Sequence, residues 1–162
     1  MRFRIVAGEP CVRGQLVYCA EEYSFDFTSE ELPYAITTLQ INELQLAVND
    51  EGRVLYVWGY CPLLRYEITE SSPPPWVKGQ LFAELDRELI PGVSERVGDG
   101  RWPLSINPNN GWVCLGGASL QVDVVAVEFA QSCVAVLSNG TLVSLWLHPQ
   151  KLPPNVLTTG FR

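Results

Sequence analysis

The chain has 162 residues, of which 47% are hydrophobic and 18% charged, so it can bury a core and does not have the composition of a disordered protein. Its formal net charge of -7 disfavours nucleic acid or an anionic membrane as a partner, because both require cationic surface. No apolar run approaches the roughly 18 residues of a membrane span and no signal-peptide pattern is present. We therefore expect a cytoplasmic protein that does not bind membranes.

The N-terminal part of the chain predicts strands. Residues 2–7 and 14–20 are candidate strands, and residues 23–27 alternate polar and aromatic side chains, as in a strand with one face in water. Residues 37–48 and 53–60 flank a polar turn that ends in glycine, which predicts a β-hairpin.

The middle of the chain predicts the one helix. Ser71-Ser72-Pro73-Pro74-Pro75 cannot continue a central strand and gives a proline-led entry to a helix. Apolar residues then recur every four positions over about 75–89, and the Pro91-Gly92 pair ends the segment. The apolar positions are Val77, Leu81, Leu85 and Leu89.

The C-terminal part returns to strands. Residues 104–106 and 112–115 predict a hairpin, residues 120–129 and 133–147 predict further strands, and the tail after His148 is expected to be loosely held. The predicted fold is thus α+β and mainly β, with antiparallel sheets and one helix covering a sheet face.

A short segment of the sequence recurs. Residues 46–58 (LAVNDEGRVLYVW) and 134–146 (VAVLSNGTLVSLW) align without a gap at an offset of 88, and each predicts a hairpin. Asn139-Gly140 predicts a type I′ turn, since both central residues of that turn need φ > 0. The closing residues Trp58 and Trp146 are expected in the core. A duplicated unit and convergence of two hairpins on one pattern both explain the match.

The domain prediction follows from this recurrence. Residues 1–162 are expected to form a single domain with pseudo-repeat halves at about 1–70 and 93–150. The proline-rich break and the predicted helix, residues 71–92, would join the halves.

The sequence shows no catalytic set. His148 is the single histidine, and the five cysteines are widely spaced without a CxxC pair, so neither a nucleophile–base pair nor a zinc site is expected. No phosphate-binding loop is present. We therefore expect no metal and no cofactor, and regard an enzyme as the less favoured class.

The charge distribution suggests a partner. Residues 21–99 hold fifteen acidic and five basic side chains, a balance of -10 that would favour a basic protein. The predicted function is an acidic binding protein that inhibits or neutralises a protein partner, as a toxin immunity protein or antitoxin does. The predicted partner-binding residues are Glu21, Glu22, Asp26, Glu30, Glu31, Trp76, Glu84 and Glu88, the last two on the water-facing side of the predicted helix.

Two other classes of function stay open at this point. One is an enzyme or a small-ligand-binding protein with a pocket between the β units, where a tyrosine such as Tyr18 or Tyr60 would act. The other is a structural or assembly subunit, such as a homodimer formed through a strand edge.

Overall fold

The computed structural model describes residues 1–118 and 122–159, with side chains as far as Val156. Fourteen β-strands and one short helix form in this part of the chain. The first eight strands are β1 (Arg2–Ala7), β2 (Gln15–Cys19), β3 (Ser24–Thr28), β4 (Thr37–Ile41), β5 (Leu44–Val48), β6 (Arg53–Tyr60), β7 (Glu67–Ile68) and β8 (Val77–Glu84). The remaining elements are β9 (Glu95–Arg96), β10 (Leu104–Ile106), β11 (Val113–Gly116), β12 (Val124–Ala130), β13 (Cys133–Ser138), β14 (Thr141–Leu147) and α1 (Pro154–Thr159).

The described strands join one curled sheet, whose main path runs β7-β10-β11-β14-β13-β12-β8-β6-β5-β4-β9. Off this path, β1 pairs with β8, and the β2–β3 hairpin joins β6 through β3. Strand β8 is shared, because Val77 and Lys78 pair with β12 whereas residues 79–84 pair with β1. We call β1–β6 with β8 and β9 the first half-sheet, and β7 with β10–β14 the second half-sheet.

The sheet is mixed. Strand pairs β4–β9, β7–β10 and β8–β12 are parallel, and the other described pairs of strands are antiparallel. The prediction of a mainly β protein is confirmed, but the prediction of antiparallel sheets alone is wrong. Each parallel pairing involves only two residues of each strand, and a two-residue pattern carries no information about strand direction.

The predicted helix over about 75–89 is also wrong, because residues 77–84 form β8 and the segment after them is a loop. In β8 the residues Gly79, Leu81 and Ala83 are buried on one face, whereas Lys78, Gln80 and Glu84 on the other face are more exposed, which is the period of a strand. Phe82 on that second face is also buried. A six-residue antiparallel ladder with β1 satisfies the backbone of this segment. The helix that was expected to cover a sheet face therefore does not form, and the α+β assignment reduces to a mainly β fold with one short helix.

The described helix is the six-residue α1 in the tail. The hydroxyl group of Tyr66 donates a hydrogen bond to the carbonyl oxygen of Val156 over 2.8 Å, and the Val156 side chain is buried. The prediction of a loosely held tail is therefore wrong for this part of it, since Val156 belongs to the core.

Both recurring segments form hairpins, and their turns differ in length. The first turn spans residues 49–52 between β5 and β6, whereas the second consists of Asn139 and Gly140 with φ of 50° and 76°. The second turn thus has the positive φ angles of the predicted type I′ turn. Whether the two hairpins arose by duplication stays a hypothesis.

The register of the two hairpins differs by one residue. Trp58 lies opposite Gln45, and Trp146 lies opposite Val134 rather than opposite Cys133, the residue that matches Gln45 at an offset of 88. Both tryptophans nevertheless point away from the main core, because the preceding residues Val57 and Leu145 belong to it. Trp146 is 2% exposed because a smaller cluster of side chains packs around it, whereas Trp58 is 43% exposed. The prediction of a buried position is therefore confirmed for Trp146 and wrong for Trp58.

The main core lies inside the curl of the sheet and includes side chains from both half-sheets, such as Leu39, Val57, Phe129 and Leu145. A smaller cluster around Trp146 occupies the opposite face of the second half-sheet. The predicted strand at 120–129 corresponds to β12, and residues 120 and 121 lie outside the described residues. Within residues 1–118 and 122–159, no helix is long and apolar enough to cross a membrane.

Candidate functional site

The β2–β3 hairpin places three of the predicted partner-binding carboxylates together. Glu21 and Glu22 lie in the turn between the two strands, and Asp26 lies in the middle of β3. All three side chains are exposed. The strands hold their register because Leu16, Tyr18, Phe25 and Phe27 alternate into the core, which leaves the intervening positions in water.

This hairpin is attached to the end of β6. Ser24 lies opposite Tyr60, and the Cys61 amide donates a hydrogen bond to the Tyr23 carbonyl oxygen over 2.8 Å. Residues two apart in a strand share a face, so Asp26 is on the face of β3 that carries Ser24, and Trp58 is on the face of β6 that carries Tyr60. The carboxylates and the aromatic rings therefore lie on one outward surface of the first half-sheet.

Three large aromatic side chains on this surface are exposed. Tyr23 and Trp58 are each 43% exposed and Tyr60 is 48% exposed. The rings of Tyr23 and Tyr60 meet edge to face with their centroids 6.5 Å apart. We define the acidic face as Glu21, Glu22, Tyr23, Asp26, Trp58 and Tyr60. Tyrosine and tryptophan are residue types that anchor protein–protein interfaces.

The carboxylates of the acidic face have no basic residue close to them in sequence. Residues 14–52 contain eight acidic residues and no lysine, arginine or histidine. The ion pairs among the described residues join Arg4 with Glu84, Arg87 with Glu95, and Arg101 with Glu43, and none of them includes a carboxylate of the acidic face. The face therefore presents net negative charge to solvent.

The other predicted carboxylates are not part of this face. Glu30 and Glu31 follow β3 at the end away from the turn, where Glu30 and Arg13 line the same shallow depression. Glu84 ends β8 and lies 4.0 Å from the Arg4 guanidinium, and Glu88 is exposed in the loop after β8. The predicted placement of Glu84 and Glu88 on a helix face is wrong, because that helix does not form.

Trp76 lies in a different environment. It immediately precedes β8, is 41% exposed and contacts the ring of Trp112 edge to face at 5.7 Å. The Trp112 ring lies 4.7 Å from that of His148, whose Nε2 is 2.7 Å from the carbonyl oxygen of Asn110. This aromatic cluster belongs to the second half-sheet, and Trp76 is thus separate from the acidic face.

The sequence prediction missed two members of the acidic face, Tyr23 and Trp58, and named Tyr60 only as a pocket residue. A signal was available in β6, where Tyr56, Trp58 and Tyr60 alternate with Val57 and Gly59. Such alternation places three aromatic rings on one side of a strand. Which side faces solvent depends on pairing with other strands, and the isolated segment does not reveal it.

The described residues contain no group of three or more His, Cys, Asp or Glu side chains arranged to hold a metal ion. Tyr18 is buried, donates a hydrogen bond to the Cys61 carbonyl oxygen and accepts one from the Leu63 amide. Burial raises the pKa of its hydroxyl to about 12, so it stays protonated at neutral pH. Tyr18 therefore serves packing, whereas Tyr60 borders a cavity that is described below.

No protein-family model matches this sequence, and no curated protein is significantly similar to it.

Proposed function

We propose that this protein binds a basic protein through the acidic face and inhibits or neutralises it, as toxin immunity proteins and antitoxins do for their targets. The observation that carries the proposal is the grouping of Tyr23, Trp58 and Tyr60 with three unpaired carboxylates on one exposed surface. Its five cysteines are free thiols, which suits a protein that acts in the cytoplasm.

Charge and aromatic residues would have separate roles in such a complex. The carboxylates would accelerate association with a cationic surface and would select against acidic proteins. The three rings would supply apolar area that is removed from water at the centre of the interface. A basic partner with an exposed lysine- or arginine-rich patch therefore fits this face better than a neutral one.

The test compares wild type with two double variants in which lysine replaces two carboxylates at different positions. Wild-type protein, E21K/E22K and D50K/E51K are used to capture proteins from the source lysate at about 50 mM and about 500 mM salt. The two double variants have the same change in net charge, but Asp50 and Glu51 lie in the turn at the opposite end of β6. The proposal expects a basic protein that wild type and D50K/E51K retain at low salt and that E21K/E22K loses.

The captured protein is then purified, and its own activity is titrated with wild type and E21K/E22K. Loss of activity at a one-to-one ratio with wild type, and not with E21K/E22K, would support an inhibitor. Equal capture by all three baits would refute the proposal, because the acidic face would then play no part. Self-association of wild type through this face on a sizing column would instead indicate an assembly subunit.

A further inference from the structure

A cavity of about 390 Å³ lies beside the acidic face and has a different chemical character. Three separate segments form it: the turn at residues 42–43, the end of β6 with residues 60–65, and residues 101–104. Its volume falls within the range of small-molecule binding pockets. Tyr60 borders both the cavity and the acidic face.

Polar contacts hold the walls of this cavity in place. The Asn42 side chain bonds both backbone groups of Trp102, accepting from its amide at 2.9 Å and donating to its carbonyl at 3.0 Å. Arg101 donates two hydrogen bonds to the carboxylate of Glu43, at 2.8 and 3.3 Å. The turn between β4 and β5 is thereby fixed to the segment before β10, so the cavity is formed before any ligand arrives.

The lining of the cavity is mostly apolar. Leu64 is 61% exposed although it is a large aliphatic side chain, and Trp102 and Leu104 are partly buried beside it. The thiol of Cys61 is buried, and desolvation raises its pKa to about 12, so it contributes an uncharged surface. Folding leaves this apolar area in contact with water, and a ligand with an apolar body would cover it.

The charged groups at the cavity favour an anion. The charged residues of its lining are Arg65, Arg101 and Glu43. A guanidinium has five N–H donors, and Glu43 takes two of those of Arg101, which leaves three without a partner among the described residues. The side chain of Arg101 is 68% exposed, so these donors are accessible to a second carboxylate.

We propose that this cavity binds a small aromatic monocarboxylate, with its ring against Trp102 and Leu64 and its carboxylate on Arg101. This is a second binding activity, independent of the proposed inhibition of a basic protein. The acidic face repels anions, whereas the cavity beside it offers the Arg101 guanidinium to them, so the two sites select ligands of opposite charge.

The test uses three probes with the same indole ring and different charges: indole-3-acetate, indole-3-acetamide and tryptamine. Calorimetric titration of the full chain is expected to give binding of indole-3-acetate at least about tenfold tighter than of the other two, because a charged acceptor strengthens the bond to arginine. The same titration is then repeated on R101Q and on R87Q. Arg87 is the matched control, since it also forms an exposed ion pair, with Glu95, but lies outside the cavity.

We expect R101Q to bind indole-3-acetate about tenfold more weakly and R87Q to bind it as wild type does. Two-dimensional NMR of the tryptophan indole N–H groups locates the ligand, because the signal that W102F removes should be the one that moves most. The proposal is overturned if indole-3-acetate does not bind, if the acetamide binds equally well, or if R101Q retains full affinity. E21K/E22K should bind indole-3-acetate as wild type does. The test of the cavity therefore gives an answer whether or not the acidic face binds a basic protein.

Discussion

The hydroxyl group of Tyr18 donates a hydrogen bond to the carbonyl oxygen of Cys61, 3.0 Å away, and so ties β2 to the segment that follows β6. The Tyr18 hydroxyl oxygen in turn accepts a hydrogen bond from the Leu63 amide at 3.3 Å. Two backbone groups of one buried segment thus depend on one side chain, and this segment also forms part of the cavity wall.

Replacement of Tyr18 by phenylalanine is expected to destabilise the protein by about 1–3 kcal/mol, because it leaves the Cys61 carbonyl and the Leu63 amide without this partner. Urea unfolding followed by tryptophan fluorescence measures the loss. The control is Y60F, since Tyr60 is an exposed tyrosine for which the structure shows no hydrogen bond through its hydroxyl. A Y18F protein as stable as Y60F would show that the two hydrogen bonds contribute nothing.

The affinity of this protein for the purified basic partner should depend on the acidic face. The double variant E21K/E22K should weaken binding at least about tenfold, and D50K/E51K should weaken it no more than about threefold. Y60A should also weaken binding by at least about tenfold, because an aromatic anchor at an interface contributes more than a charge at its rim. Surface plasmon resonance at two salt concentrations measures all four proteins. Equal effects of the two double variants would mean that net charge alone controls binding.

The first hairpin turn depends on Gly52. Its φ is +82°, and a Cβ at this position would lie 2.5 Å from the carbonyl oxygen of Ala83, so alanine meets both backbone strain and a clash with β8. We expect G52A to lose about 1–3 kcal/mol of stability. Gly92 has a similar φ of +78° with no atom within 4 Å of the added Cβ, so G92A measures the strain alone. Unfolding midpoints in urea should show a greater loss of stability for G52A than for G92A. The reverse order would contradict the close approach of a Cβ at position 52 to the Ala83 carbonyl oxygen.

The two hairpin tryptophans should respond differently to truncation. Trp146 is 2% exposed and its indole N–H donates to the Ser144 hydroxyl at 3.2 Å, so W146A should lose about 3–5 kcal/mol. W58A, at the matching position of the other hairpin, should lose less than about 1 kcal/mol because Trp58 is on the surface. Thermal unfolding compares the two. If W146A fails to fold, the smaller substitution W146F replaces it in the comparison. The loss of stability in W146F must then exceed the loss in W58F.

Alkaline pH should destabilise the fold through its buried thiols. Desolvation raises the pKa of Cys61 and Cys114 from the ordinary value of 9.0 to about 12. Between these values the unfolded chain has released the protons that the folded chain retains, so stability falls as pH rises from about 9 towards 12. Urea midpoints at pH 8, 9 and 10 measure the slope. The variant C61A/C114A should show a shallower slope, and an unchanged slope would rule out these two thiols as its cause.

The sequence predicts the strands of this protein better than it predicts their partners. The strands at 2–7 and 133–147 are recognisable because their alternation and turn chemistry are local properties. Segment 77–84 contains apolar residues that satisfy both a period of two and a period of four, so local pattern does not decide its structure. The deciding interaction is the six-residue ladder with β1, which lies more than seventy residues earlier in the chain.

Composition locates only part of the acidic face. Glu21, Glu22 and Asp26 are evident from the charge pattern, because no basic residue interrupts residues 14–52. Trp58 was missed because Trp58 and Trp146 both point away from the main core, and only tertiary packing buries Trp146 in a second cluster while leaving Trp58 43% exposed. Glu84 and Glu88 were grouped with the others through an assumed helix, and a strand followed by a loop does not bring them to the same surface.

The sharing of β8 has a consequence for any attempt to divide the chain. A cut within Pro73–Pro75 would leave β8 on the C-terminal fragment, although its longest ladder is with β1 and it also pairs with β6. The N-terminal fragment would then expose the edges of β1 and β6 that β8 normally covers. The C-terminal fragment would keep the pairing of Val77 and Lys78 with β12 but would carry residues 79–84 without their β1 and β6 partners. The two fragments would be complementary halves, each supplying what the other lacks, and a mixture of them would reassemble by insertion of β8 between its former neighbours.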